Sequence, residues 1–179
     1  MRKPLSVLLS ALALAAAGTV AGAGSAAAAS TTPSVVASAK SAAAAFGSIC
    51  YQAHVQNVGW QNFTACNGTD AGTVGQARHM EALTIATAGV GGVCARAHVA
   101  GVGWQAWQCR PDGQALTVGT TGQNRPIEAL EVAITSNRPV RGNAHLSNLG
   151  WQGWKPWAES TQVGTVGQAR AMEAVRFEV

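Results

Sequence analysis

From residue 49 onward the chain alternates. Tyr51, Ala53 and Val55 are apolar, and Gln52, His54 and Gln56 between them are polar; a period of two marks a strand with one buried face. Asn57-Val58-Gly59 predicts a three-residue hairpin loop closed by Gly59 in the left-handed region, with Trp60 opening the returning strand. In that register Tyr51, Ala53, Val55, Phe63 and Ala65 face a core. Gln52, His54, Gln56, Trp60, Asn62 and Thr64 face the other way. Downstream, Glu81-Ala82-Leu83-Thr84-Ile85 alternates again and predicts a further strand.

The same pattern is written three times, over residues 49–85, 93–134 and 140–179. His54, His98 and His145 recur 44 and 47 residues apart, and Trp60, Trp104 and Trp151 keep the same spacing. A second anchor reads G-Q-A-R-H-M-E-A-L from Gly75, G-Q-N-R-P-I-E-A-L from Gly122 and G-Q-A-R-A-M-E-A-V from Gly167. Pro126 lies inside this stretch, and a helix-interior proline costs about 3 kcal/mol, so strand is expected here in all three copies. One unit of this size cannot cover its own apolar face; three copies imply a single repeat architecture. The expected fold is all-β and three-fold pseudo-symmetric, a single domain resembling a β-prism, with a β-trefoil as the alternative.

Ahead of the repeats, Arg2 and Lys3, an apolar run from Leu5 and a small-residue stretch to Ala29 have the layout of a secretory signal peptide over 1–29. Residues 30–47, rich in Ser and Ala, are expected to form a flexible arm, leaving 48–179 as the β domain. Charged residues are 11% of the chain, against about 25% in ordinary domains, which disfavours long solvated helices. Two of the cations behind the net charge of +4 lie in the leader, and no basic stripe remains for nucleic acid. No membrane contact is expected after leader removal.

An exported chain with four cysteines points to disulfides rather than metal or redox chemistry. Repeats one and two each hold two cysteines and repeat three holds neither, as intra-repeat pairs require. The expected bridges are Cys50–Cys66 and Cys94–Cys109, the second with a bulge between Trp107 and Cys109. Trp60, Trp104 and Trp151, flanked by His54, His98 and His145, form a polar face suited to stacking a sugar ring and bonding its hydroxyls. A packing role for the same Trp residues is the competing expectation. The second aromatics, Phe63, Trp107 and Trp154, fall on the core face by parity, while Trp157 has no counterpart and is a candidate exposed anchor. Arg78–Glu81, Arg125–Glu128 and Arg170–Glu173 are expected as structural ion pairs. No second acid recurs beside those Glu residues and no Ser/His/Asp arrangement occurs, so catalysis, metal and cofactor are not expected.

The string Y-Q-A-H-V-Q-N-V-G-W-Q, with G-T-V-G-Q-A-R-H-M-E-A-L-T-I after it, resembles the clostridial hydrophobic W (ChW) repeat. The resemblance covers residues 49–179, and its name-giving Gly-Trp corresponds to Gly59-Trp60, Gly103-Trp104 and Gly150-Trp151. It implies display outside the cell, free or held non-covalently at the wall, and a role in binding polysaccharide or a cell-surface protein. It implies no catalytic residue. The cysteine pairs, Pro126 and the inserted Lys155-Pro156-Trp157 depart from the pattern.

Overall fold

The computed structural model describes residues 34–43 and 46–179; the signal peptide expected over 1–29 lies outside them. Part of the segment expected to be a flexible arm is a helix, α1 (Val35–Ala42), capped by Ser34, whose hydroxyl accepts from the Ala37 amide at 3.2 Å. Alanine favours helix, and the small side chains let Val35 and Ala39 pack down beside Cys50, Ala86 and Ala88. Packing against the first sheet orders what composition alone reads as a linker.

Among the described residues fourteen strands follow. Repeat one contributes β1 (Ser48–Val55), β2 (Gly59–Trp60), β3 (Ala65–Cys66), β4 (Ala71–Gly72) and β5 (Met80–Ala88). Repeat two contributes β6 (Gly92–Val99), β7 (Gly103–Trp104), β8 (Gln108–Pro111), β9 (Ala115–Gly119) and β10 (Ile127–Ile134). Repeat three contributes β11 (Arg141–Leu146), β12 (Gly150–Trp151), β13 (Ser160–Gly164) and β14 (Met172–Glu178). The further strand expected in each repeat forms, and it pairs with that repeat's long first strand.

The middle strand of each repeat leaves home. β9 of repeat two pairs β5 of repeat one, β13 of repeat three pairs β10 of repeat two, and β4 of repeat one pairs β14 of repeat three. The exchange is cyclic, so the last repeat locks onto the first. Three open sheets result, with no closed barrel among the described residues, which removes the trefoil alternative. Their inner faces share one core, from Ile49, Tyr51 and Leu83 through Val93 and Leu130 to Val163, Val175 and Phe177. Tyr51 pins the closure. Its hydroxyl donates to the Thr69 carbonyl at 2.7 Å and accepts from the Phe177 amide at 2.8 Å, and the two rings meet edge to face at 5.6 Å. Burial holds this hydroxyl's pKa far above the ordinary tyrosine value.

Both disulfides form as expected, Cys50–Cys66 and Cys94–Cys109, each between directly opposed residues. The hairpins around them are less regular than the parity argument requires. Val55 faces Gly59, so the turn is Gln56-Asn57-Val58, with Asn57 in the left-handed region at φ 59°, while Gly59 takes the positive φ expected of it, 84°, as the first residue of the returning strand. Between the Trp60 and Ala65 pairings, two residues of β1 face four of the returning strand. Phe63 sits in that excursion and is 42% exposed rather than in the core. In repeat two the extra residue falls before Gln108, not between Trp107 and Cys109, and Trp107 is likewise exposed. Trp154 is half-buried. In each copy the strand breaks just after the Trp, and alternation cannot be carried across the break.

Candidate functional site

Every repeat builds the same outward-facing group at its junction with the next. His54 lies opposite Ala82 and Val55 opposite Met80, so Glu81 is the extra residue of a β-bulge. Glu128 and Glu173 occupy the same bulge, between the partners of His98 and Val99 and of His145 and Leu146. A bulge re-aims a side chain, and here it brings each carboxylate to the imidazole on the neighbouring strand. The distances from His Nδ1 to Glu Oε2 are 3.0, 2.9 and 3.1 Å for His54–Glu81, His98–Glu128 and His145–Glu173. The oxygens lie off the ring N–H direction, so the contact is a close approach rather than an aligned hydrogen bond. The other side of each imidazole meets its cross-strand tryptophan edge to face, at 5.2 Å for Trp60, 5.3 Å for Trp104 and 5.4 Å for Trp151.

The exchanged strand completes the site. The Glu81 carbonyl accepts from the Thr120 amide of repeat two at 2.8 Å, and Glu128 and Glu173 accept from Thr165 and Thr73 in turn. Approach is so close that a Cβ on Gly119 would overlap the Glu81 carbonyl, as one on Gly164 or Gly72 would overlap its counterpart. The glutamine after each Trp fixes that glycine. Gln105 accepts from the Gly119 amide at 2.7 Å and donates to its carbonyl at 3.0 Å; Gln61 on Gly72 and Gln152 on Gly164 repeat the clamp. Beyond the glycine, Ala77, Asn124 and Ala169 all stand at positive φ near 50°, a conformation costly for a residue with a Cβ.

At the junction of repeats one and two these parts enclose a cleft of about 490 Å³, lined by His54, Gln56, Asn57, Gly59 and Glu81 of one repeat and Gly122 and Asn124 of the next. Gln56 donates to Asn124 across it at 2.8 Å. A second imidazole, His79, stands 3.8 Å from the other oxygen of Glu81. Burial lowers the His79 pKa below its usual 6.5, against the opposing pull of Glu81.

The structure thus brings His54, His98 and His145 together with Trp60, Trp104 and Trp151, pair by pair. None of these Trp is buried: Trp60 is 41% exposed, and Trp104 and Trp151 are partly exposed. The expected ion pairs are corrected. Glu81, Glu128 and Glu173 pair with histidine, and among the described residues Arg78, Arg125 and Arg170 make no ion pair with them. Arg78, Arg125 and Arg170 stand in the loop before the bulge rather than on the strand, so strand spacing does not carry them to the carboxylates. Arg125 instead reaches the Ala100 carbonyl at 3.3 Å.

Trp157 is 48% exposed but does not stand alone. Arg176 lies over Trp151 and Trp154, and Arg141 over Trp154 and Trp157, an alternating ladder with guanidinium-to-ring distances of 4.2 to 5.0 Å. Arg96 bridges Trp104 and Trp107 in the same way, at 4.7 and 5.0 Å. Arg141 and Arg96 also pair with Glu178 and Glu131. Sequence reasoning missed the glutamine clamps, though Gln61, Gln105 and Gln152 recur in every Gly-Trp-Gln. It also missed the arginine ladders, which recur in no shared position.

Residues 54–89, 98–136 and 145–179 each match the family model described as Clostridial hydrophobic W. No curated protein and no solved structure matches the chain.

Proposed function

Because this chain belongs to the clostridial hydrophobic W family, an assignment that points to an extracellular repeat protein, we propose that it is an exported, non-enzymatic module that binds glycans of cell surfaces or the surroundings. The observation that carries the reading is the recurring group of one part-exposed indole, one imidazole and one carboxylate on the outer face of each repeat junction. Sugars are recognised by that combination, an aromatic surface for the C–H face of the ring and fixed polar groups for its hydroxyls. Two disulfides support an oxidising compartment. Each site carboxylate has an imidazole beside it rather than the second positioned carboxylate that glycoside hydrolysis uses.

A glycan array probed with the folded protein tests the reading. Retention on defined glycans, lost when Trp60, Trp104 and Trp151 are replaced together by alanine in protein that still folds, supports it; an array without retention contradicts it. A second reading, adhesion to a protein partner, is favoured by the apolar hairpin tips Val58, Val102 and Leu149, each more than half exposed. Pull-down of a surface protein that survives enzymatic deglycosylation of that protein would favour it instead.

A further inference from the structure

The three junctions share one design but are not interchangeable. We propose that the cleft between repeats one and two is the single ligand site of the chain, and that it takes an uncharged saccharide; the proposal rests on the glycan-binding reading and narrows it.

Four differences separate this junction from the other two. First, Arg96 covers Trp104 and Arg176 covers Trp151, so a guanidinium already occupies a face of each of those indoles. At the matching positions repeat one has Gln52 and Thr84, and among the described residues no cation lies over Trp60. Trp60 is not itself in the cleft lining, but it meets the lining residue His54 ring to ring at 5.2 Å and is 41% exposed. Second, the loop donated to this junction carries Asn124, where the loops donated to the other two carry Ala169 and Ala77. An amide at that point adds a donor and an acceptor, and Gln56 already orients it. Third, Glu81 is flanked by His79 as well as His54, whereas Pro126 and Ala171 stand at the equivalent places. Fourth, Thr121 replaces the exposed Val166 and Val74 of the other loops.

Junction one is therefore polar where the others are aliphatic. Its lining offers the amides of Gln56, Asn57 and Asn124, the His54 imidazole and the Glu81 carboxylate, which is only 4% exposed. No lysine or arginine lines it. A buried carboxylate in a lining without lysine or arginine disfavours uronate, sulfate and phosphate groups, while amides and a carboxylate suit neutral hydroxyls.

The test is titration calorimetry of the mature, oxidised protein with neutral oligosaccharides (cellotetraose and chitotetraose) and an acidic one (tetragalacturonate). Expected is one site per chain for a neutral oligosaccharide, at least tenfold weaker binding in Trp60→Ala and in Asn124→Ala, and less than twofold change in Trp104→Ala and Trp151→Ala. Asn124→Ala should fold, because Ala77 and Ala169 already hold the same backbone conformation in this chain. Equal losses from all three tryptophan variants, a stoichiometry of three, an unaffected Asn124→Ala, or preference for the acidic sugar would overturn the single-site proposal while leaving glycan binding intact. Absence of heat with all three sugars, together with a blank glycan array, would overturn both.

Discussion

At the scale of single residues, the interior polar groups are held by few partners, and their loss should be measurable. Tyr51→Phe keeps the ring and its edge-to-face contact with Phe177 but strands the Phe177 amide and removes the donor to Thr69. Leaving a buried group unsatisfied costs about 1–3 kcal/mol, so urea denaturation should show a loss of that size. His79 sets a pH dependence. Its pKa is lowered in the folded chain, chiefly by burial, so below its ordinary value of 6.5 the unfolded chain takes up a proton that the folded chain refuses. Its contribution to stability is therefore complete above pH 6.5 and falls as pH drops through that value. Glu81 and His54 are the titratable groups that share its site. Stability followed by denaturation from pH 8 to pH 5 should fall less steeply in His79→Ala, which places there the residue found at Ala171. That His54 and Trp60 share a face was legible in the alternation of the first hairpin, although the expected Asn57-Val58-Gly59 loop sets Trp60 opposite Gln56 rather than His54. The pairing of Glu81 with His54 was not, because a one-residue bulge reverses the face that periodicity assigns, and nothing in Met80-Glu81-Ala82 announces a bulge.

At the scale of elements, each returning strand needs a tie to its partner, since only two residues pair beside each turn. Repeats one and two use a disulfide. In repeat three Arg141 stands at the position of Cys94, stacks on Trp154 and Trp157 and pairs with Glu178, while the Lys155 amide donates to Gly142 and Val140 bridges Ala158. The inserted Trp157 thus acts as the far rung of a tie rather than as a free anchor. Arg141→Ala should cost about 1–2 kcal/mol in chemical denaturation, from two cation–π contacts. Replacing Cys94 and Cys109 together by alanine should cost roughly 3 kcal/mol. The disulfides could be read from the sequence because both cysteines come and go together. The ladder could not, since its arginines sit on different strands and touch only when the sheet is assembled.

At the scale of the whole molecule, triplication is legible and interlocking is not. Three copies of one strand pattern require three like units, but spacing alone does not say whether the middle strand stays in its own repeat or crosses to the next. Close contact admits the crossing: only a residue without a Cβ fits where the end of each middle strand meets the bulged glutamate of its neighbour, and there the threonine amide that follows finds its acceptor. The cleft between repeats one and two exists because of that crossing, since it combines His54 and Glu81 of one repeat with the loop carrying Gly122 and Asn124 of the following one. The crossing can be tested covalently at Thr84 of β5 and Thr117 of β9, which face each other with their hydroxyls 2.8 Å apart. Thr84→Cys/Thr117→Cys should form a disulfide within one chain under mild oxidation, read by mass spectrometry as a peptide joining repeat one to repeat two. No cross-link, or one found only between separate molecules, would contradict the interlocked ring and with it the junction sites.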